Sequence, residues 1–340
     1  MRQEVMTSPG NIEIRNVDMP SDPGPNEVML KIQRIGVCGT DMHVYHGTHP
    51  ATPYPVVQGH EYSAVVEKIG SDVTKVKTGD RATARPQQTC GVCGPCKRGH
   101  YNVCENLKVE GFQAPGVAQD YAILPEERLV RLPESMSFEK GAMVEPVAVG
   151  AHSTRRSHSL EGKNVVVSGA GMIGNVVAQF ARIRGAKKVL ITDVSDFRLD
   201  KARECGIEHT LNVQEKDFVE GVREIFGEEK FQAGFEAAGV QSSLDNLIAN
   251  VEKGGDVLIL GVYGKNPVVN MFHVGEHELQ LFGSLMYRHE DYEETVQMLS
   301  EEKVVVDPLI TTHFPFEKYA EAYKYIEEQG DHIMKVFIDL

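Results

Sequence analysis

Residues 163–262 alternate short apolar runs with helix-forming stretches, and that rhythm leaves few folds open. Residues 164–168 (NVVVS) lead into a helical pattern over 172–184, and 188–192 (KVLIT) lead into another over 197–205. A third run near 210–213 precedes a helical stretch over 217–225. The run 231–236, a helix around 243–251 and the run 256–262 continue the alternation. Repeated strand–helix units need a crossover after each strand, so they predict a parallel sheet with helices on both faces. Between the first strand and the first helix stands Ser168-Gly169-Ala170-Gly171-Met172-Ile173-Gly174, a G-x-G-x-x-G turn in the context that pattern requires. Gly169, Gly171 and Gly174 permit a tight turn, backbone approach to a pyrophosphate and close helix–sheet packing. The helix N-terminus adds N–H donors and partial positive charge. Asp193 closes the next strand, where a carboxylate accepts from a ribose and repels a 2′-phosphate, which favours NAD over NADP. Arg198 lies close by and suits either adenine stacking or a phosphate. An incidental glycine turn with a helix-capping aspartate is the plain alternative.

The chain before this region has another texture. From 11 to about 133 it is rich in Gly and Pro, with β-type runs at 27–35, 63–69 and 121–124. Turns such as Gly70-Ser71-Asp72 and Gly79-Asp80 break them, which predicts an irregular all-β domain with long loops. Residues 137–156 can be helical, with Pro146 kinking that helix or starting a new one. After about 286 come helical stretches at 292–300 and 316–328 and a last strand at 335–338; this tail can return to either domain. A chain of 340 residues is too long for one small core, so two domains are expected. Lys and Arg number 35 against 49 Asp and Glu, a net charge of −14. That field repels phosphate backbones and anionic bilayers, so neither nucleic acid nor a membrane is the expected partner. No run approaches the ~20 apolar residues of a bilayer span and no signal core opens the chain, so a cytoplasmic location is expected.

Four cysteines crowd into one loop as Cys90-x2-Cys93-x2-Cys96-x7-Cys104. Cysteines two residues apart suit a mutual disulfide poorly and a tetrahedral ion well. Four thiolates leave no position for water, so a zinc held there is structural. An iron–sulfur cluster uses similar spacings, and a metal-free thiol cluster is the third reading.

A second set is dispersed. Cys38 stands in Val37-Cys38-Gly39-Thr40-Asp41-Met42-His43, His60 in Gly59-His60-Glu61, and Glu145 in Val144-Glu145-Pro146. Singly they read as core filler, a hydrogen-bonded loop histidine and a carboxylate favoured by a helix dipole. Together, thiolate, imidazole and carboxylate are the mixed donors of an open catalytic zinc. Such an ion lowers the pKa of a bound alcohol, and an alkoxide readily releases hydride to a nicotinamide. Thr40 can donate and accept a proton, and the imidazole of His43 can pass it to solvent.

In these motifs, taken in this order, the chain resembles the zinc-dependent medium-chain dehydrogenase superfamily over essentially its whole length. The resemblance implies an α/β protein: a GroES-like, mostly β catalytic domain over 1–150, completed by 288–340, around a doubly wound Rossmann domain over 151–287. It implies an active site in the cleft between them and a homodimer or homotetramer. It implies Cys38, His60 and Glu61 as catalytic-zinc ligands and Glu145 as the acid that binds or exchanges at that zinc. Thr40 and His43 match the proton relay, and Cys90, Cys93, Cys96 and Cys104 match the structural zinc. Ile173, Asp193, Arg198, Leu260, Gly261, Val262, Leu285 and Met286 occupy positions that contact NAD in similar enzymes. A glutamate at 145, where simple alcohol dehydrogenases place a cysteine, is similar to the polyol, sugar-acid and threonine branch. Met286-Tyr287-Arg288 keeps the tyrosine of the polyol enzymes' Arg-Tyr pair but places the arginine one position later. Residues 144–156 resemble bacterial L-galactonate and L-gulonate 5-dehydrogenases, and Arg288 suits either a substrate carboxylate or an exposed surface. The expected function is zinc-assisted, NAD-dependent oxidation of a secondary alcohol in a polyol or sugar acid. An L-threonine 3-dehydrogenase and a non-catalytic NAD- and zinc-binding sensor are the alternatives. His46 and His49 flank the expected substrate loop. His100 reads as surface, His152 as packing, Cys205 as inert burial, and the acidic clusters at 276–278, 290–294 and 327–328 as solvated faces.

Overall fold

A computed structural model describes all 340 residues. The chain divides into two units. The first comprises Met1–Glu145, Arg288–Ser300 and Ile310–Leu340, and the second comprises Pro146–Tyr287 and Glu301–Leu309. The C-terminal tail therefore serves the first unit except for one excursion, which the Gln179 side chain secures by bonding both the N–H (2.7 Å) and the carbonyl (2.9 Å) of Val305.

The first unit opens with the antiparallel pair β1 (Arg2–Ser8) and β2 (Asn11–Asn16). There follow β3 (Glu27–Val37), α1 (Gly39–Tyr45), β4 (Glu61–Ile69), β5 (Arg81–Ala84), β6 (Gln87–Gln88), α2 (Gly94–Lys97), β7 (Lys108–Val109), β8 (Tyr121–Pro125), β9 (Leu129–Leu132) and α3 (Phe138–Ala142). Next comes α4 (Val144–Arg156), along which the chain passes into the second unit at Pro146. The helical stretch expected over 137–156 is thus broken at Met143. Pro146 falls in the first turn of α4, where a missing N–H leaves no intrahelical bond unmade.

The second unit adds β10 (Asn164–Ser168), α5 (Met172–Ile183), β11 (Lys188–Asp193), α6 (Asp196–Glu204), β12 (His209–Asn212), α7 (Phe218–Phe226), β13 (Ala233–Glu236), α8 (Gln241–Asn250), β14 (Asp256–Ile259), α9 (Met271–Glu276) and β15 (Gln280–Gly283). Its six strands run parallel in the order β12-β11-β10-β13-β14-β15. Every residue of β10 is buried, as a central strand covered on both faces requires. Alternation along it feeds two cores: Val165 and Val167 pack with Val177, Ile191 and Phe235, and Val166 packs with Leu190, Phe231 and Leu247. Fully burying each such aliphatic side chain contributes roughly 1.5–3 kcal/mol. This is the expected doubly wound sheet.

The chain returns to the first unit with α10 (His289–Ser300), β16 (Ile310–Pro315), α11 (Tyr319–Gln329) and β17 (Lys335–Asp339). Its seven-stranded sheet runs β16-β17-β3-β4-β5-β9, with β8 also paired to β3. The reading of 11–133 as all-β is corrected by α1 and α2, whereas α3 falls in the stretch expected to be helical. The acidic run 290–294 is not wholly solvated: Asp291 is fully buried and accepts from the Arg288 N–H at 2.7 Å. Cys205 and His152 are buried and His100 is exposed, as expected. No helix is long and apolar enough to cross a membrane.

Candidate active site

Strand pairing in the first unit gathers the dispersed donors. Cys38 follows β3 and caps α1, and Glu61 opens β4 directly after His60. The β3–β4 register sets Gly36 opposite Glu61, and β17 on the other side sets Phe337 opposite Gly36. One ligand atom each from Cys38, His60 and Glu61 therefore lies within 4.8 Å of the others. A β-carbon at Gly36 would collide with Glu61 Oε2, so the carboxylate takes the space of a side chain.

The surroundings of this trio fit a divalent cation. Asp41, in the first turn of α1, accepts from the Cys38 N–H at 2.9 Å through Oδ2. Its other oxygen lies 3.4 Å from His60 Nδ1, which leaves Nε2 as the ligating nitrogen. Burial pushes the His60 imidazole down, but Asp41 and the Cys38 thiol more than offset this and hold it well above its usual value. An imidazole fixed among negative groups, beside a thiol and a carboxylate, is the donor set of zinc with an open position.

Glu61 has a second partner. Lys335 Nζ donates to its two oxygens at 2.5 and 2.8 Å and to the Val37 carbonyl at 3.1 Å. Burial pushes Lys335 down, while Glu61, Cys38 and Glu145 push it up and prevail. Sequence reasoning missed both Asp41 and Lys335. An acid three residues after a helix cap was an available signal for Asp41; Lys335 had none.

Glu145 is buried in the first turn of α4 and is not one of the trio within 4.8 Å. Thr40 and His43 share a face of α1, Thr40 half-buried and His43 exposed. His49 stacks on Phe112 with centroids 5.0 Å apart, and Phe112 lies 4.9 Å from the His60 ring. His46 instead pairs with Glu327 at 2.6 Å, and Arg288 with Glu290 at 3.0 Å.

The cysteine loop assembles as a unit. Its four sulfurs lie within 4.8 Å of one another, and none is in a disulfide. Backbone N–H groups point at them, from Cys90 and Asn106 to Cys104 Sγ at 3.3 Å each. The N–H groups of Val92 and Cys93 pull the Cys90 thiol down to about 6, which favours the thiolate a metal binds.

In the second unit a cavity of about 300 Å³ opens at the C-terminal ends of β10, β11 and β13. Gly169, Gly171, Asp193 and Arg198 line it. Ile173, Gly174, Leu260, Gly261, Val262, Leu285 and Met286 are not among its lining residues. Gly174 is nonetheless obligatory, because a β-carbon there would strike the Gly169 carbonyl. Asp193 accepts from the N–H groups of Ala170 (2.6 Å), Val194 (2.8 Å) and Ser195 (2.9 Å), and so shapes the glycine turn as well as facing the cavity. Val213, Ala238 and Asn246 of α8 also line it and went unpredicted, though for Val213 and Ala238 a place just beyond parallel strand ends was the available signal.

Residues 24–134 match the alcohol dehydrogenase GroES-like domain, and residues 173–301 match the zinc-binding dehydrogenase domain. Sorbitol dehydrogenase 1 of Saccharomyces cerevisiae is 34% identical, with 98% of this chain and 96% of that protein covered. The chain is a zinc-dependent medium-chain dehydrogenase. An L-threonine 3-dehydrogenase of a Marinomonas species is 31% identical over 90% of this dehydrogenase and 91% of that one. An Escherichia coli alcohol dehydrogenase solved with NADH is 29% identical and superposes with a TM-score of 0.93, covering 100% of this chain and 99% of that one. This dehydrogenase is an oxidoreductase that acts on CH–OH groups of small-molecule alcohols, with zinc and NAD(P) as cofactors and a GroES-like plus Rossmann α/β fold.

Proposed function

We propose that this dehydrogenase oxidises a secondary hydroxyl of a polyol or sugar acid with NAD. The convergence of Cys38, His60 and Glu61 within 4.8 Å carries the reading. Zinc held by these three would supply Lewis acidity to the substrate oxygen. Glu145, whose charge reaches Lys335, would bind or exchange at the same ion. The Thr40 hydroxyl would accept the alcohol proton and hand it to His43, which is exposed to solvent. NAD, held by Gly169, Gly171, Ile173, Gly174, Asp193, Arg198, Leu260, Gly261, Val262, Leu285 and Met286, would supply the hydride acceptor. A second zinc on Cys90, Cys93, Cys96 and Cys104 would brace the loop.

The substrate class follows the carboxylate at 145 and the sorbitol dehydrogenase relatives. L-Threonine 3-dehydrogenase relatives make threonine the second reading. The intact trio and relay speak against a non-catalytic sensor. A homodimer or homotetramer is supported by the open edge of β15 and by exposed Val268, Met271 and Phe272. Initial-rate NADH formation by zinc-loaded protein tests the proposal on hexitols, inositols, L-galactonate, L-gulonate and L-threonine, with and without chelator. Chelator-sensitive turnover of a polyol or sugar acid is expected. Turnover of threonine alone, or NAD binding without turnover of any alcohol, would overturn it.

A further inference from the structure

Glu236 ends β13, and the parallel register sets it opposite Ser168, the last residue before the glycine turn. β10 and β13 are the neighbours where the strand order reverses, and such sheets bind ligands outside their C-terminal ends at that point. The Glu236 side chain is fully buried, and partners of its Oε1 lie just beyond β13, in the exit loop and the first turn of α8. Oε1 accepts from the N–H groups of Ala238 (3.0 Å) and Gly239 (2.9 Å) and from the Ser243 hydroxyl (2.5 Å). The Glu236 carbonyl accepts from the N–H groups of Leu260 (2.9 Å) and Gly261 (3.0 Å), which follow β14. Oε2 faces Gly261, where a β-carbon would collide with it. The next residue, Ala237, donates its N–H to the Ser168 carbonyl at 2.8 Å.

We infer that Glu236 is a positioning residue for the nicotinamide cofactor, a buried carboxylate that fixes the β13 exit loop and the first turn of α8 as one preformed side of the rim. Ala238 and Ser243, both held by Oε1, line the same cavity as Gly169, Gly171 and Asp193. Three hydrogen bonds meet on one oxygen here, so a single side chain fixes several residues of the rim at once. A rim ordered before binding spares the cofactor the cost of ordering it, so the carboxylate acts on affinity rather than on the chemical step. Glu236 touches no reacting atom in this account.

The test compares wild type with E236Q, which keeps the shape and loses the charge, and with E236D, which keeps the charge and retracts it by one methylene. NADH affinity is read by fluorescence titration, alongside KM for NAD, KM for the alcohol, kcat, and the melting temperature of cofactor-free protein. Wild type must first bind NADH, since failure there would sink the cofactor site itself rather than the role of Glu236. Both variants should weaken NADH binding and raise KM for NAD about tenfold, with kcat maintained and the alcohol KM unmoved. The inference is overturned by unchanged NADH affinity in the folded variants. It is equally overturned if kcat and the cofactor-free melting temperature fall together while NADH affinity holds, because that is the signature of a merely structural carboxylate. Should E236Q fail to fold, E236D decides by the same readings.

Discussion

Replacing Lys335 by Met should weaken the metal-free protein and tighten its hold on zinc. The Lys335 and Glu61 side chains are 3% and 1% exposed, and the ammonium makes three hydrogen bonds, two of them to Glu61. Removing one partner of a buried ion pair leaves an uncompensated charge and costs about 3–5 kcal/mol. K335M should therefore unfold that much more readily after chelation. A cation at the trio would meet the same carboxylate that Lys335 now neutralises, so zinc repairs the damage in the variant and competes with the lysine in the wild type. By linkage, whatever part of the loss zinc restores appears as added zinc affinity, and about 3 kcal/mol corresponds to roughly 100-fold. Denaturant unfolding with and without metal, together with a competitive zinc titration, measures both legs. The double variant K335M/E61Q should recover most of the metal-free stability and none of the added affinity. Lys335 is raised in the folded state, so its stabilisation is complete below the unfolded lysine pKa and fades only at higher pH. The difference between K335M and wild type should accordingly be flat from pH 6 to 9. Equal destabilisation with and without zinc, or weaker zinc binding by K335M, would refute the idea that lysine and metal share Glu61.

Glu4 is fully buried, and burial first, then Asp41, pushes its carboxyl up to about 8. The folded state thus holds a proton that the unfolded chain releases near 4.5, and stability falls as pH rises between those values, by up to about 1.4 kcal/mol per unit. E4Q should flatten that slope in melting temperatures taken from pH 5 to 8, and parallel slopes would sink the argument. C96S should halve the zinc content from two ions to one and lower the melting temperature before it alters kcat, so an equally stable, zinc-replete variant would count against a structural lobe. D193G should weaken NAD binding and lift the relative rate with NADP. Unchanged cofactor preference would remove Asp193 from ribose recognition.

What the chain disclosed in advance was what local pattern can carry. The glycine turn and Asp193 announce themselves because the turn chemistry, the preceding β-branched strand and the following helix all lie within a few residues of one another. The cysteine lobe is equally local, with four ligands on one loop. β15 escaped notice because it lies at the sheet edge, where QLFG is half exposed and shows no buried apolar run. α9 is short and keeps Met271 and Phe272 in solvent, so it carries no core-facing stripe. The split near Met143 was half-visible, since Pro146 marks an interruption without saying on which side of it the new helix begins.

The candidate site shows the same limit in its chemistry. Residue types alone suggested Cys38, His60 and Glu145, the resemblance added Glu61, and the groups that make the grouping stable came from elsewhere. Asp41 acts in two directions, capping the helix that presents Cys38 and standing against the ring of His60, so one carboxylate orients two donors. Lys335 comes from the far end of the chain, delivered because β17 adds to the edge of β3 while β4 begins on the other side. Asp41, Glu61 and Glu145 crowd three acidic side chains into a buried neighbourhood beside the Cys38 thiol, with Lys335 as the ammonium among them. Low dielectric makes such an excess costly. A divalent cation offsets it where a second lysine would block the open position that alcohol chemistry needs, and that ion would share Glu61 with Lys335.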